Sequence, residues 1–349
     1  MKIAIVSLKF SPGHTEHLCA YYQMFSDMGH NVILYITPEY KKIISDIDNV
    51  IYIDNFKAIL TEKLDLVFIY NAAIDNMFFA RLCKKKNIRF VYMLHEPNQK
   101  LSDLFIEKKS AYKMLGAEIT NSITCYYSDK VLLGSQEGMR AYEARMKIFN
   151  KNYALFPLIF RDEYDEKLSC TREYFSFIGG FSAAHACDEF IEFVKYGLQK
   201  ELNIKFLIAT RNHIQNVLGD KIIQDGIQKG QIVVQEGRSM TESEINGFYR
   251  KSICVWNAYN RSTQSGVLPN ALMQGAPLLV NSKGAAKEVI HDGVEGCFVS
   301  IPHDNAEIAE KYQYIKAHFQ KMSQAARNLF LKQYYYKGNE KLANQVILH

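Results

Sequence analysis

Residues 252–299 read SICVWNAYNRSTQSGVLPNALMQGAPLLVNSKGAAKEVIHDGVEGCFV. The apolar run 253–256 ends in a polar loop. Through Thr263, Gln264, Ser265 and Gly266 that loop enters an apolar segment of helix length, which stops at Gly275 and Pro277. A second apolar run, Leu278-Leu279-Val280, follows at once. Then come Gly284, a short helical piece ending Glu288-Val289-Ile290, and the turn His291-Asp292-Gly293. The order is strand, loop, helix, strand. It leaves a helix start open at the end of a strand, where the first N–H groups lack partners and carry the positive end of the dipole. An anion site is expected there, with the rest of the chain built around it.

Toward the N-terminus, residues 2–7 read as a buried strand, followed by the loop Lys9-Phe10-Ser11-Pro12-Gly13-His14. Thr15 is expected to cap a helix over 16–28, with Leu18, Tyr22, Phe25 and Met28 at helical spacing. Strands follow at 31–36, 50–53, 65–70, 89–94 and 130–134, and Ser135 is placed to cap the next helix. Only one glycine precedes the first helix, so this is not a dinucleotide fingerprint. Around 155–172 the polar run Arg161-Asp162-Glu163-Tyr164-Asp165-Glu166-Lys167 has no hydrophobic face and reads as a linker. A second βα series then begins: strand 174–178, loop 179–184, helix 187–199, strand 204–209, helix 213–218, strand 231–235 and helix 242–250. The tail has helices near 304–318 and 320–332, the run Tyr334-Tyr335-Tyr336 and a short helix at 339–348. The fold class is α/β, with two Rossmann-like parallel-sheet domains.

A chain of 349 residues is too long for one ordinary core. Its 48% hydrophobic and 23% charged content is that of a folded soluble protein, with no low-complexity tract or fixed-period repeat. The longest apolar runs, such as 64–70, fall far short of the ~20 residues that span a bilayer. The first residues run straight into a strand pattern, so a cytoplasmic protein is expected. Seven scattered cysteines without a C-x-x-C pair read as buried reduced thiols. Net charge is +5, but nine Lys and Arg fall between Arg81 and Lys113 against Glu96, Asp103 and Glu107. Leu101, Leu104, Phe105, Tyr112, Met114 and Leu115 interleave with its later part. Such a stretch either lies on an anionic membrane surface or forms a solvated helix packed on its own domain. Nucleic acid is not expected, because no binding module accompanies the charge.

Two Rossmann-like halves with a glycine loop at the front of each resemble the GT-B architecture of nucleotide-sugar glycosyltransferases. The quoted stretch resembles the signature of the group 1 retaining enzymes of family 4 type: Asn270-Ala271-Leu272-Met273-Gln274-Gly275-Ala276-Pro277 matches its first part and 284–296 its second. Gly29-His30-Asn31-Val32 resembles the family's G-H-x-V after the first helix. The resemblance implies a central cleft between an N-terminal acceptor-side domain, 1–157, and a donor-binding domain, 173–331. A linker at 158–172 and a C-terminal helix, 332–349, crossing back to the first domain complete it.

The chain departs from the family pattern where charge is expected. Asn270 stands where a glutamate usually meets the ribose. The other glutamate of the pair, which meets the donor sugar, is replaced by Ser262 in an ungapped match. The segment also resembles a T-Q-S-G-V variant in which Gln264 takes that part. The family's diphosphate-binding Arg and Lys fall on Gly180 and His185. Remaining donors for the phosphates are the backbone N–H groups of Ser265, Gly266 and Val267, with Ser265, Arg261 and Arg211 side chains. These donors can take the place of a metal, so no metal and no cofactor is expected beyond the nucleotide-diphosphate sugar as co-substrate. His95 ends the strand 89–94 and resembles the family histidine at the donor sugar; Glu96 beside it orients His95 or binds acceptor. Gly13 and His14, in the loop after the first strand, are candidate acceptor contacts, His14 being otherwise a plain turn residue. The implied activity is retaining transfer of a hexosyl-type sugar to a saccharide or lipid-linked acceptor in surface polysaccharide synthesis, peripherally on the inner membrane face. A GT-B nucleotide-sugar epimerase and a non-catalytic homologue that binds nucleotide-sugar or a partner are the alternatives.

Overall fold

The structure is a computed structural model; it describes every residue except 45, 96–110, 169 and 261–264, and the backbone alone of 111–114. The chain divides into two compact units, Met1–Arg161 with Gln333–His349, and Asp162–Lys332.

Unit 1 is a seven-stranded parallel sheet. Its strands are β1 (Lys2–Ser7), β2 (Asn31–Ile36), β3 (Val50–Tyr52), β4 (Leu66–Ile69), β5 (Arg89–Leu94), β6 (Lys130–Leu133) and β7 (Tyr153–Leu155), in the order β3-β2-β1-β4-β5-β6-β7. Ile3, Ala4, Ile5 and Val6 of β1 and all of β4 are fully buried, as befits strands covered on both faces. The connecting helices are α1 (Thr15–Asp27), α2 (Asp75–Lys85), α3 (Ala111–Tyr127) and α4 (Gln136–Arg145). Ser135 caps α4 by accepting from the Gly138 N–H at 2.9 Å. Thr15 does not cap α1. It is the helix's first residue, because the tight turn Pro12–His14 runs straight into it, and its hydroxyl donates to the Pro12 carbonyl at 2.9 Å. The buried face of α1 is Leu18, Tyr21, Met24 and Phe25, with Tyr22 and Met28 half-exposed.

Unit 2 is a six-stranded parallel sheet in the order β10-β9-β8-β11-β12-β13. The strands are β8 (Tyr174–Ile178), β9 (Lys205–Ala209), β10 (Ile232–Gln235), β11 (Ser252–Asn257), β12 (Leu278–Asn281) and β13 (Gly296–Val299). Helices α5 (Cys187–Gln199), α6 (Gln215–Leu218), α7 (Lys221–Gln228), α8 (Glu242–Arg250), α9 (Val267–Met273), α10 (Asn305–Ala317) and α11 (Phe319–Gln333) flank it. The quoted stretch thus supplies β11, α9, β12 and β13. Pro269 costs α9 little, since its missing N–H falls in the first turn. Arg172 ties the stretch together, donating to the carbonyls of Tyr249, Ser252 and Gln274. At Gly296 a Cβ would lie 2.3 Å from the Leu278 carbonyl oxygen, so β12 and β13 close only on glycine.

The tail belongs to unit 1, where Phe160 and Tyr336 exchange backbone bonds with Tyr334 and Phe160, and the Tyr336 hydroxyl donates to Asp27 at 2.9 Å. It ends in α12 (Glu340–Ala343) and a wider turn, Asn344–Leu348, whose last carbonyl accepts from Arg89 at 2.6 Å. All seven cysteines are free, six buried and Cys170 exposed. Among the described residues, no helix is long and apolar enough to cross a membrane.

Candidate functional site

Both sheets share one strand order: a central first strand, with the chain winding outward to one side and then to the other. In such sheets the loops after the two central strands splay apart at their carboxyl ends and leave a crevice for a ligand. In unit 2 these loops follow β8 and β11; in unit 1 they follow β1 and β4.

In unit 2 the loop after β8 opens on Gly179, whose φ of +132° suits glycine, and a Cβ there would press 3.3 Å against Val267. The β8 loop therefore passes close over the start of α9. His185 lies later in this loop. Its Nδ1 donates to the Gly180 carbonyl at 2.5 Å, which a carbonyl can only accept, so the proton sits on Nδ1. The ring stacks on Tyr259 at 4.3 Å and 28°, and the Trp256 indole N–H donates to the His185 carbonyl at 3.2 Å. Tyr259 is fully enclosed and burial pushes its hydroxyl pKa up, so it stays neutral, held by Asn257 and Ser265. Asn257 in turn donates to Ser265 at 3.1 Å, and Asn281 donates to the Tyr259 carbonyl. The β9 loop joins in through Asn212, which accepts from the Phe181 N–H at 2.9 Å. The edge is thus lined by amides, hydroxyls and one imidazole. Asp188 and Glu189 occupy the first turn of α5, which disfavours a phosphate there.

In unit 1 the corresponding edge is a cluster of rings. His14 from the β1 loop, His17 from the first turn of α1, Tyr70 after β4 and His95 after β5 come together. His14 and His95 are 4.8 Å apart by ring centroid, His14 and Tyr70 5.2 Å, and His17 and Tyr70 5.1 Å. His17 donates from Nδ1 to the Ile159 carbonyl at 3.0 Å. Its neighbour Glu16 takes a two-pronged ion pair from Arg161, at 2.9 and 2.8 Å, so α1 is pinned to the chain at 159–161. Burial, then His95, His17 and Lys9, lower the His14 pKa to about 2; burial and His95 lower that of His17 to about 3. Both rings are neutral at any working pH. Among the described residues, the His14 Nδ1 atom, the Tyr70 hydroxyl and the Asn71 Oδ1 atom are buried without a partner.

Residues 172–317 match the family model described as "Glycosyl transferases group 1". No curated protein sequence matches the chain. Three solved structures superpose on it over nearly their full lengths. HepE of Anabaena in complex with UDP has a TM-score of 0.75 at 13% identity, covering all of both chains. The sucrose-phosphate synthase of Thermosynechococcus elongatus scores 0.73 at 12%, covering 99% of this chain and 97% of that one. WaaG, a glycosyltransferase involved in lipopolysaccharide biosynthesis, scores 0.68 at 12%, covering 99% of each. The chain has the GT-B fold. The residues that match the family model all lie within unit 2.

On this GT-B frame, Gly180, His185, Ser265, Gly266 and Val267 gather at the central edge of the unit 2 sheet. Asn270 is on the exposed side of α9 and half-buried. Arg211 follows β9, is exposed, and forms no ion pair among the described residues. In unit 1, Gly13 is exposed in the turn before α1, and His14 and His95 meet in the ring cluster. Glu96, Arg261 and Gln264 lie outside the described residues. Four residues went unremarked in the sequence: His17, Tyr70, Asn257 and Tyr259. Each carried a signal, since Tyr70, Asn257 and Tyr259 end or follow a strand, as His95 does, and His17 sits one turn after His14.

Proposed function

We propose that the chain is a glycosyltransferase that moves a sugar from a nucleotide diphosphate to a saccharide or lipid-linked saccharide, with retention of configuration. The observation that carries this reading is the edge of unit 2. Within the region matched by the group 1 model, His185 is locked by Gly180 and Tyr259 at the sheet edge where Ser265, Gly266 and Val267 open α9. HepE, solved with UDP, with UDP and glucose, and with UDP-glucose, supports a uridine-type donor.

In this reading unit 2 holds the donor. Arg211 and Arg261 with the backbone N–H groups stabilise the phosphate charge, joined by His185 once Nε2 as well as Nδ1 carries a proton, while Asn270 meets the ribose and Gln264 meets the sugar. Unit 1 supplies His95 to the sugar and His14, Gly13 and Glu96 to the acceptor. The bond from the anomeric carbon to phosphate oxygen breaks, the acceptor hydroxyl oxygen bonds to that carbon on the same face, and the hydroxyl proton passes to the leaving phosphate. A neutral His14 suits this step, because a cation there would withhold an acceptor lone pair. We place the enzyme in the cytoplasm, peripheral to the inner membrane face, making surface polysaccharide or glycolipid. We assign no metal to the site, so turnover withstands a chelator.

One specific observation favours a second reading, a non-catalytic GT-B homologue: Asn270, Gly180 and His185 replace the family's charged contacts. Incubation with a panel of nucleotide sugars separates the readings. Hydrolysis or transfer of one donor is expected. Interconversion of the sugar without acceptor identifies an epimerase, and neither turnover nor a thermal shift with any nucleotide sinks the transferase reading.

A further inference from the structure

Helix α3 turns an apolar face outward. Leu115, Ile119, Ile123 and Tyr126 are 43, 53, 36 and 60% exposed. At 100° per residue they fall within a stripe of about 80°. The opposite face holds the buried Thr120, Asn121, Thr124 and Cys125, so the outward stripe is a second apolar surface rather than the core-facing one. Glu118, the lone charge between 115 and 127, is 12% exposed and paired with Arg145 at 2.8 Å, which leaves the stripe uncharged. Ile148, 81% exposed, extends it, because Asn150 ties that loop to the carbonyls of Cys125 and Ser128 at 2.9 and 2.6 Å.

The rim of this stripe is basic. α2 packs on α3 and ends in Lys84 and Lys85, with Lys86 next in the chain, all three exposed. Both helices link parallel strands, so both return to the amino edge of the sheet, and the three lysines finish at the same edge as Tyr126. An uncharged apolar stripe bordered by lysines fits an anionic lipid surface, with the rings and aliphatic chains entering the headgroup boundary. A second copy fits less well, since a twofold contact sets like patches against each other.

We infer that this α2–α3 face docks the protein on an anionic bilayer. It names the membrane contact of the proposed enzyme but stands independently of sugar transfer. Flotation of the full chain with vesicles of equimolar phosphatidylserine and phosphatidylcholine tests it, against pure phosphatidylcholine vesicles. The native protein floats with the anionic vesicles alone. The pair Ile119→Glu and Ile123→Glu cuts the bound fraction about tenfold or more, as does the triple change of Lys84, Lys85 and Lys86 to Glu. All five positions are exposed, so unfolding temperatures stay near native, and nucleotide-sugar turnover in lipid-free solution is unchanged. Absence of flotation, or equal flotation by both variants, overturns the inference. A lipid-free dimer in sedimentation velocity that Ile119→Glu dissolves also overturns it, assigning the face to a second copy. Intact flotation without turnover counts against the transferase reading alone.

Discussion

The central edges of the two sheets share a topology and differ in chemistry. In unit 1 the edge is lined by His14, His17, His95 and Tyr70, packed ring against ring, with His14 and His17 held neutral by burial. In unit 2 it is lined by Asn257, Ser265, Asn212 and one imidazole, His185, each fixed by a hydrogen bond. Strand order sets where a ligand can bind. The residue types in the loops set which ligand: a cluster of aromatic and imidazole rings in one case, and a lattice of fixed amides and hydroxyls in the other.

Acid should separate the two edges most strongly. His14 and His17 have depressed folded values, so the unfolded chain takes up protons through about 6.5 while the folded chain does not. Stability is therefore full above pH 7 and falls as pH drops below about 6.5, by about 2 kcal/mol per imidazole at pH 5. Urea midpoints against pH measure this, and His17→Gln should roughly halve the slope. Next in size, Gly296→Ala should cost unit 2 about 3 kcal/mol or more, because backbone rather than a movable side chain opposes the new methyl. His185→Ala should weaken binding of a nucleoside diphosphate by about 2 kcal/mol, roughly 30-fold, if its ring meets phosphate. Arg211→Ala should cost about 1 kcal/mol or less in the same titration, since its charge is exposed and screened.

Much of the fold could be read from apolar runs, because parallel strands buried on both faces are nearly continuous in Val, Ile and Leu. α5 and α8 have the expected bounds, 187–199 and 242–250. α7 was not anticipated: eight residues closed between Gly219 and Gly230 and broken by Gly226 look like a turn until Asp220 is seen to accept the Ile222 N–H at 2.9 Å. β7, three half-buried residues, is too short for its pattern to stand out. At the sites, chain position was readable and partnership was not. His95 could be placed at a strand end, but its grouping with His14 and His17 depends on three separate elements meeting. Part of the quoted signature also proves to be architectural, since Gly296 is fixed by the approach of two strands, and Glu295 takes the His291 N–H at 2.9 Å to close a turn.

The central claim is that the edge of unit 2 binds a nucleoside diphosphate without the family's usual charged contacts. Calorimetric titration of the full chain with UDP, and then of His185→Gln and Asn270→Ala, tests it directly. The account predicts saturable one-to-one binding that both substitutions weaken, with the folding of each variant confirmed by its unfolding temperature. Failure of UDP and every other nucleoside diphosphate to bind the native protein would contradict it.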